Sequence, residues 1–345
     1  MRRPKISMKD IAAELGISKN AVSLALGNKP GVSQELRERV FEVAARLGYR
    51  GHLDGKASDA RKLLILTPEF NVQDRYFYAD VYMGIQKQAQ VTGHFTMLAG
   101  LTEQMIASRT LPEALREFDF NGILTVGVIP HDYLSVIFER RIPVIAVDNF
   151  YDDIPVNTVV TANEEGAFSV TRHLIDLGHR QIGYIAPIEK SASFFERYEG
   201  FMKAMIYAKL PTERSLSILE PWPLESLGKN QEEIRAGLKA MKRFPTAFVC
   251  GNDEIALAVI NILRTEHGLR VPQDVSVTGF DDIDAARIFS PALTTYRVPR
   301  AQLGQEAVRF LLALIADQRH EHVITKRSLY GSLQVRESTA APAGG

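Results

Sequence analysis

Two kinds of polar side chain stand out in this sequence by type and spacing. The first are Lys19, Asn20 and Ser23, within MKDIAAELGISKNAVSLAL, residues 8–26. They are donors and acceptors of the kind that reach base edges and phosphates, and a helix would put them on the side away from Val22 and Leu26. The second kind follow short apolar runs: Asp148-Asn149 after PVIAV, Gly251-Asn252-Asp253 after AFVC, and Gly279-Phe280-Asp281-Asp282 after VSVTG. Polar residues at the carboxyl ends of strands are where open α/β sheets bind ligands. Asn252 and Asp281 have a plainer alternative, since either can cap the next helix. Hydrolytic, phosphoryl-transfer and metal chemistry have no comparable signature. There is no P-loop, no Gly-x-Gly-x-x-Gly after a strand, no nucleophile elbow, and the eight histidines are scattered singly. No catalytic residue, metal ligand or cofactor is therefore expected.

The elements that position the first group are two short helices joined at Gly16. Ser7 and Ser18 are candidate caps, offering side-chain oxygens to unpaired N–H groups at helix starts. Ile11 and Leu15 share one face, as do Val22 and Leu26, and Gly16 suits a left-handed residue after a helix end. Ala12, Gly16 and Val22 occupy the first, fifth and eleventh places of an eleven-residue span, which fits two helices crossing closely as a helix-turn-helix. An ordinary small helical bundle with a solvated face has the same spacing. Gly27–Gly31 is turn chemistry, and Ser33 opens a third helix with Leu36, Val40, Val43, Ala44 and Leu47 as its stripe, stopped by Gly48.

Length and charge bound the rest. A chain of 345 residues with 46% hydrophobic and 24% charged content reads as a soluble globular protein of two or three domains. Residues 1–61 hold twelve Lys and Arg against seven Asp and Glu, and the remainder 29 against 34, so a +5 head precedes a −5 body although the whole is neutral. That asymmetry suits a nucleic-acid reader with a separate body. Cys250 is the single cysteine, so no disulfide forms within the chain. No run is long enough to span a membrane and the N-terminus lacks a signal-peptide core, so a cytoplasmic location is expected.

From Lys62 onward short β-branched runs alternate with helical patterns. Strands are expected at 63–67, 95–99, 122–127 and 143–147, and in a second series at 182–186, 216–219, 247–250 and 275–279. Helices are expected near 78–92, 103–117, 132–140, 164–177, 194–208, 231–243, 254–267 and 301–317. Alternation of this kind signals parallel sheets covered by helices, and two series of four suggest two similar lobes. Gly178 should end a helix, with His179 and Arg180 as surface or helix-end residues. The segment STAAPAGG is small and Pro/Gly-rich, so residues 339–345 are expected to be a disordered tail.

The run VSLALGNKPGVSQELRERVFEVAARLGY resembles the DNA-binding head of the lactose-repressor (LacI/GalR-type) family of bacterial transcription regulators. GHRQIGYIA, RYEGF, TAFVCGNDEIALAVI, VPQDVSVTGFDDID and PALTTYRVPRAQLG are similar to its effector domain, so the likeness covers nearly the whole chain. The resemblance implies an all-α helix-turn-helix head at 1–49, a linker or hinge at 50–61, and an α/β periplasmic-binding-protein-like body at 62–338. The body would have two doubly wound parallel-sheet lobes joined by three crossovers. The N-lobe would take 62–162 plus 296–322 and the C-lobe 163–292 plus 323–338. It implies a DNA-contacting set of Ser18, Lys19, Asn20, Ser23, Leu24 and Asn28. Leu24 departs from the Arg frequent there and offers only an apolar contact to a thymine methyl. It implies effector contacts at Phe77, Tyr78, Asp148, Arg197, Trp222, Asn252 and Asp281, a set suited to adjacent sugar hydroxyls. Arg197 could instead pair with Glu196 or Glu199, and Trp222, between two prolines, could simply pack. The hinge departs from the family pattern. Gly51, His52, Gly55-Lys56 and Ser58 replace its usual residues and no wedge leucine is present, so a poorly helical hinge is expected.

The function so implied is a homodimeric repressor that binds a near-palindromic operator in duplex DNA and is controlled by a small carbohydrate effector. A periplasmic solute-binding protein or an enzyme could share the body. The basic head argues against the former and the missing catalytic motifs against the latter.

Overall fold

The computed structural model describes residues 6–26, 31–47, 60–74, 76–220, 231–317 and 323–343. The chain divides into two compact units, Met1–Arg61 and Lys62–Gly345.

In the first unit the helices are Met8–Leu15, Lys19–Leu26 and Gln34–Leu47. Gly16 ends the first in the left-handed region, with φ 65°, and Ile17 N–H returns to the Ala12 carbonyl at 3.1 Å. Ser18 and Ser33 cap the next two, accepting from Ala21 N–H at 3.1 Å and Leu36 N–H at 3.2 Å. Ser7 works with Asp10, whose carboxylate receives both the Ser7 N–H and its hydroxyl. The three helices bury Ile11, Val22, Ala25, Leu26 and Val40 as one small core, because these are the residues their shared faces present.

The second unit holds two sheets. The first contains β1 (Lys62–Pro68), β2 (Phe95–Leu101), β3 (Gly122–Val126), β4 (Val144–Val147) and β5 (Asn157–Thr161). The second contains β6 (Ile182–Ile185), β7 (Ala247–Cys250), β8 (Ser276–Asp281) and β9 (Thr294–Arg297). Then β10 (Lys326–Leu329) returns to the first sheet and β11 (Ser332–Gln334) to the second. The orders are β10-β5-β4-β3-β1-β2 and β11-β9-β8-β7-β6. All pairings are parallel except β11 with β9. Central strands such as LLILT, GILTV and AFVC are continuous apolar runs because helices cover both their faces.

The chain passes between lobes three times, after β5, after β9 and after β10. Helix Arg300–Ala316 packs on helix Tyr78–Val91 and on β3, β4 and β5, so it belongs to the first lobe. The expected lobe boundaries therefore need correction. Residues 294–297 lie in the second sheet, and 326–329 belong to the first rather than to the C-lobe segment 323–338.

Three local expectations also fail. LSIL at 216–219 is not a strand. A 3-10 turn at Arg214–Leu216 takes up its first residue, and only Ile218 bridges to Ile185 at the sheet edge. The pattern at 103–117 breaks into helices Glu103–Ser108 and Glu113–Glu117, because Arg109 turns left-handed at φ 53° and Pro112 stands before the second. Residues 339–343 are not a disordered tail. Ser338 is fully buried, its hydroxyl accepting from Thr294 N–H at 2.8 Å and donating to the Val277 carbonyl at 2.6 Å, and Ala340 N–H donates to Ser276 Oγ at 3.1 Å. His179 stands at the helix end, its N–H donating to the Leu174 carbonyl at 3.1 Å, but is no surface residue. It is 1% exposed, with Nε2–H donating to the Ala340 carbonyl at 2.9 Å. Burial keeps its imidazole below the usual histidine range.

In the second lobe, helices Asn163–Asp176 and Ala192–Tyr207 approach very closely at Gly200. A Cβ there would sit 2.1 Å from the Glu164 carbonyl oxygen.

Candidate ligand cleft and DNA-reading helix

The cleft lies at the carboxyl ends of the strands of both lobes, with a volume of about 340 Å³. After β1 the chain forms a short helix, Glu69–Val72, and further on a turn at Tyr76 and Phe77, whose Tyr76 N–H donates to Asp74 Oδ1 at 2.7 Å. That turn presents Phe77 and Tyr78 to the cavity. Asp148 follows β4 at φ 61°, and Asp281 ends β8 at φ 118°. Positive φ costs a non-glycine residue roughly 1–3 kcal/mol and gathers at ligand clamps. Asn252, Arg197 and Asp281 close the second lobe's side.

Arg197 organises the floor. It is 5% exposed, donating from Nε to Asn163 Oδ1 at 2.9 Å and from Nη1 to the Gly251 carbonyl at 2.8 Å. Its guanidinium stacks 3.9 Å above the Phe280 ring, and Nη2 lies 3.4 Å from Asp281 Oδ1. Neither Glu196 nor Glu199 is its partner. Glu196 instead accepts from Asn163 Nδ2 at 2.9 Å. Tyr78 donates its hydroxyl to Asp148 Oδ2 at 3.2 Å, whereas Asp148 Oδ1 and Asp281 Oδ1 are buried without a hydrogen bond. A buried acceptor left unpaired costs about 1–3 kcal/mol and calls for an explanation.

Electrostatics sharpen that point. Burial pushes the Asp148 carboxyl up to about 7, against the pull of Arg197 and with a further push from Asp281. Burial raises Asp281 to about 6, opposed by Arg197 and Arg300. Glu254 is raised to about 7 by burial and then by the charges of Asp74 and Asp281. Burial beside Asp148 lifts the Tyr78 phenol well above its ordinary value.

Six of the seven expected ligand residues line this one cavity: Phe77, Tyr78, Asp148, Arg197, Asn252 and Asp281. Trp222 lies outside the described residues. Both readings of Asn252 hold, since its Oδ1 caps helix Asp253–Glu266 through Ile255 N–H at 2.9 Å while the side chain also borders the cavity. Asp281 caps no helix. Asp74, Ser193 and Glu254 also line the cleft and were not anticipated. Asp74 had a usable signal, its position just beyond β1, but Glu254 reads in sequence as an ordinary acidic residue in a first helical turn. A larger open groove of about 710 Å³ runs past Gly268–Gln273 and Ser290–Pro291. Its charged residues are already engaged, Arg270 with Asp274 at 2.8 Å, Arg264 with the Ser290 carbonyl at 2.7 Å and Glu337 with Ala292 N–H at 3.1 Å, so it offers less unsatisfied chemistry.

In the first unit, helix Lys19–Leu26 leaves Lys19, Asn20 and Ser23 exposed while Val22, Ala25 and Leu26 are buried. Ser18 is exposed and engaged as the cap. Leu24 is half-buried and leans over Gly31, where a Cβ would meet its Cδ1 at 3.4 Å. Asn28 and residues 50–59 of the expected hinge at 50–61 lie outside the described residues. Among the described residues no cluster of His, Cys, Asp or Glu could hold a metal ion, and no helix is long and apolar enough to cross a membrane.

A helix-turn-helix unit and a two-lobed body with a polar cleft together define a ligand-responsive DNA-binding protein by class. Residues 7–51 match the family model described as bacterial regulatory proteins, lacI family, and 171–339 match the periplasmic binding protein-like domain. The chain thus joins a lacI-family head to a periplasmic binding protein-like domain. It is 29% identical over 347 residues to the HTH-type transcriptional repressor CytR of Escherichia coli strain K12, covering 97% of this chain and 96% of that one. It is 27% identical over 322 residues to the probable HTH-type transcriptional repressor ExuR of Bacillus subtilis strain 168, covering 90% and 92%. Among solved structures it resembles a transcriptional regulator CelR–cellobiose complex, with a TM-score of 0.72, 26% identity, and 97% and 100% of the two chains covered. The lac repressor dimer bound to operator and an anti-inducer shares the fold, with a TM-score of 0.74, 24% identity, and 98% and 100% covered.

Proposed function

We propose that this chain represses transcription by binding a near-palindromic operator as a homodimer in the cytoplasm, and that a small sugar or sugar derivative in the cleft sets its affinity for DNA. One observation carries the reading. A lacI-family head with Lys19, Asn20 and Ser23 in the open shares a chain with a cleft whose two buried carboxylates each keep an oxygen without a hydrogen bond. Lys19 and Asn20 read bases or phosphates, Ser18 sets the helix start, and Ser23, Leu24 and Asn28 complete the DNA-facing set. In the cleft, Asp148 and Asp281 accept from hydroxyls, the Asn252 amide and Arg197 donate, and Phe77 and Tyr78 supply flat faces, with Trp222 as a further contact.

Homodimerisation is supported by an apolar edge. Strand β2 ends the first sheet and leaves Phe95 66% exposed, with Met97, Leu98 and Phe118 also exposed. A sheet edge of this kind calls for a cover, and a second copy of the chain supplies one. An effector that prefers one lobe arrangement shifts the population of DNA-competent dimers. Coupling of roughly 1–3 kcal/mol changes operator affinity about 5- to 150-fold.

The test selects operator sequences from random duplexes and then measures binding by fluorescence anisotropy. Lys19→Ala with Asn20→Ala should erase discrimination between selected and random DNA while ligand binding persists. Arg197→Ala should keep DNA binding and lose the response to ligand. Unchanged discrimination in the first variant, or an intact response in the second, would overturn the corresponding half.

A further inference from the structure

The cleft holds more acceptors than a neutral sugar needs. Four carboxylates border it: Asp74 and Asp148 from the first lobe, Glu254 and Asp281 from the second. Among the described residues the cations nearby are largely spent. Arg197 donates to Asn163 and to the Gly251 carbonyl and faces Asp281, and Arg300 is tied to Asp80 at 2.9 Å and to the Asp281 carbonyl at 3.0 Å. Lys190, at the rim, is exposed. Glu254 makes no hydrogen bond or ion pair with the described residues, and Asp148 Oδ1, on a residue only 8% exposed, is unpartnered. Phe70, Tyr76, Phe77 and Phe194 add ring faces to the same cavity.

We propose that the cleft selects a protonated amine carried on a hydroxyl-bearing ring, with the cationic nitrogen clasped between Asp74 of one lobe and Glu254 of the other, and that it rejects sugar acids and sugar phosphates. The proposal rests on the effector-cleft reading above and narrows it. Without ligand, Asp74 and Glu254 repel across the gap between lobes. A cation between them turns that repulsion into attraction and favours the closed arrangement, whereas an anion would add a further negative charge. Aromatic faces beside a carboxylate pair suit an ammonium group on a ring better than a carboxylate or phosphate. Glu254 and Asp148, both raised toward 7, surrender protons when the cation arrives, so binding near neutral pH releases protons.

Calorimetric titration of the full chain decides the matter. The probes are hexoses of gluco, galacto and manno configuration, each as the 2-amino sugar, the neutral sugar and the uronic acid. The expected result is an amine at least tenfold tighter than the neutral form in whichever series binds, no uptake of the uronic acid, and proton release seen by repeating the titration in buffers of different ionisation enthalpy. Glu254→Gln, or Asp74→Asn should the first fail to fold, should bring the amine-to-neutral ratio to about one. A uronic acid as the tightest ligand, no amine binding in any series, or a ratio that survives both substitutions overturns the proposal. Arg197→Ala separates the two levels. Should a sugar bind that variant as tightly as the parent, the cleft assignment itself falls; should binding be lost with an anion preferred in the parent, the charge preference alone falls.

Discussion

Replacing Asp148 by Asn removes one charge from the cleft while keeping the side chain's shape and an acceptor for the Tyr78 hydroxyl. The buried carboxyl holds its proton up to about 7 in the fold, against an ordinary value of 3.8. Between those pH values the folded chain binds more protons than the unfolded one, so stability contributed at this site falls as pH rises through that window. At about 1.4 kcal/mol per tenfold step, the ionised form at pH 8 costs the fold about 4 kcal/mol. Desolvating the Asn amide offsets part of this, leaving an expected gain of about 1–3 kcal/mol for Asp148→Asn at pH 8. The gain should shrink steadily on acidification and turn into a net loss by about pH 4, where only the amide's desolvation cost remains. Urea unfolding followed by far-ultraviolet circular dichroism at pH 8, 6.5 and 5 measures it. A variant no more stable than the parent at pH 8, or a difference independent of pH, would refute the claim that burial of this charge destabilises the ligand-free cleft.

Gly200→Ala should lower thermal stability by about 2 kcal/mol or more. Its new methyl group meets the Glu164 carbonyl at 2.1 Å, and two packed helices must separate to relieve it. A melting temperature within a degree of the parent's would show that the contact yields cheaply. Ser338→Ala strands the buried Thr294 N–H and the Val277 carbonyl, and should cost about 1–3 kcal/mol in the same urea experiment. The logarithm of operator affinity should fall linearly with the logarithm of salt concentration. Lys19→Ala should reduce the slope by about one if this side chain meets a phosphate and leave it unchanged if it meets a base.

Much of the body was legible because its central strands are uninterrupted apolar runs. Helices cover both faces of the sheets, so the sequences of β1, β3, β4, β7 and β8 carry burial on every residue but Lys62. The strands missed are those whose identity comes from pairing. Asn157–Thr161 begins polar, and Lys326–Leu329 sits at a sheet edge with alternating exposure, so neither announces itself by composition. LSIL shows the reverse case: strand-like residues lie against the edge of β6 through one bridge. Asp148, Asn252 and Asp281 were legible from their places after strands, whereas Arg197, in mid-helix, was legible only through family resemblance. Glu254 was hidden because an acid in a first helical turn has a sufficient local reason to be there.

The connections between lobes have a consequence for synthesis. First-lobe strand β10 and second-lobe strand β11 both come from 326–334, and residues 338–340 fasten onto the second sheet last. On the ribosome, neither half of the clamshell can close its hydrogen-bond ladder until that final stretch has emerged. The nascent body must wait with two unfinished sheet margins, a state in which chaperone capture competes with self-association.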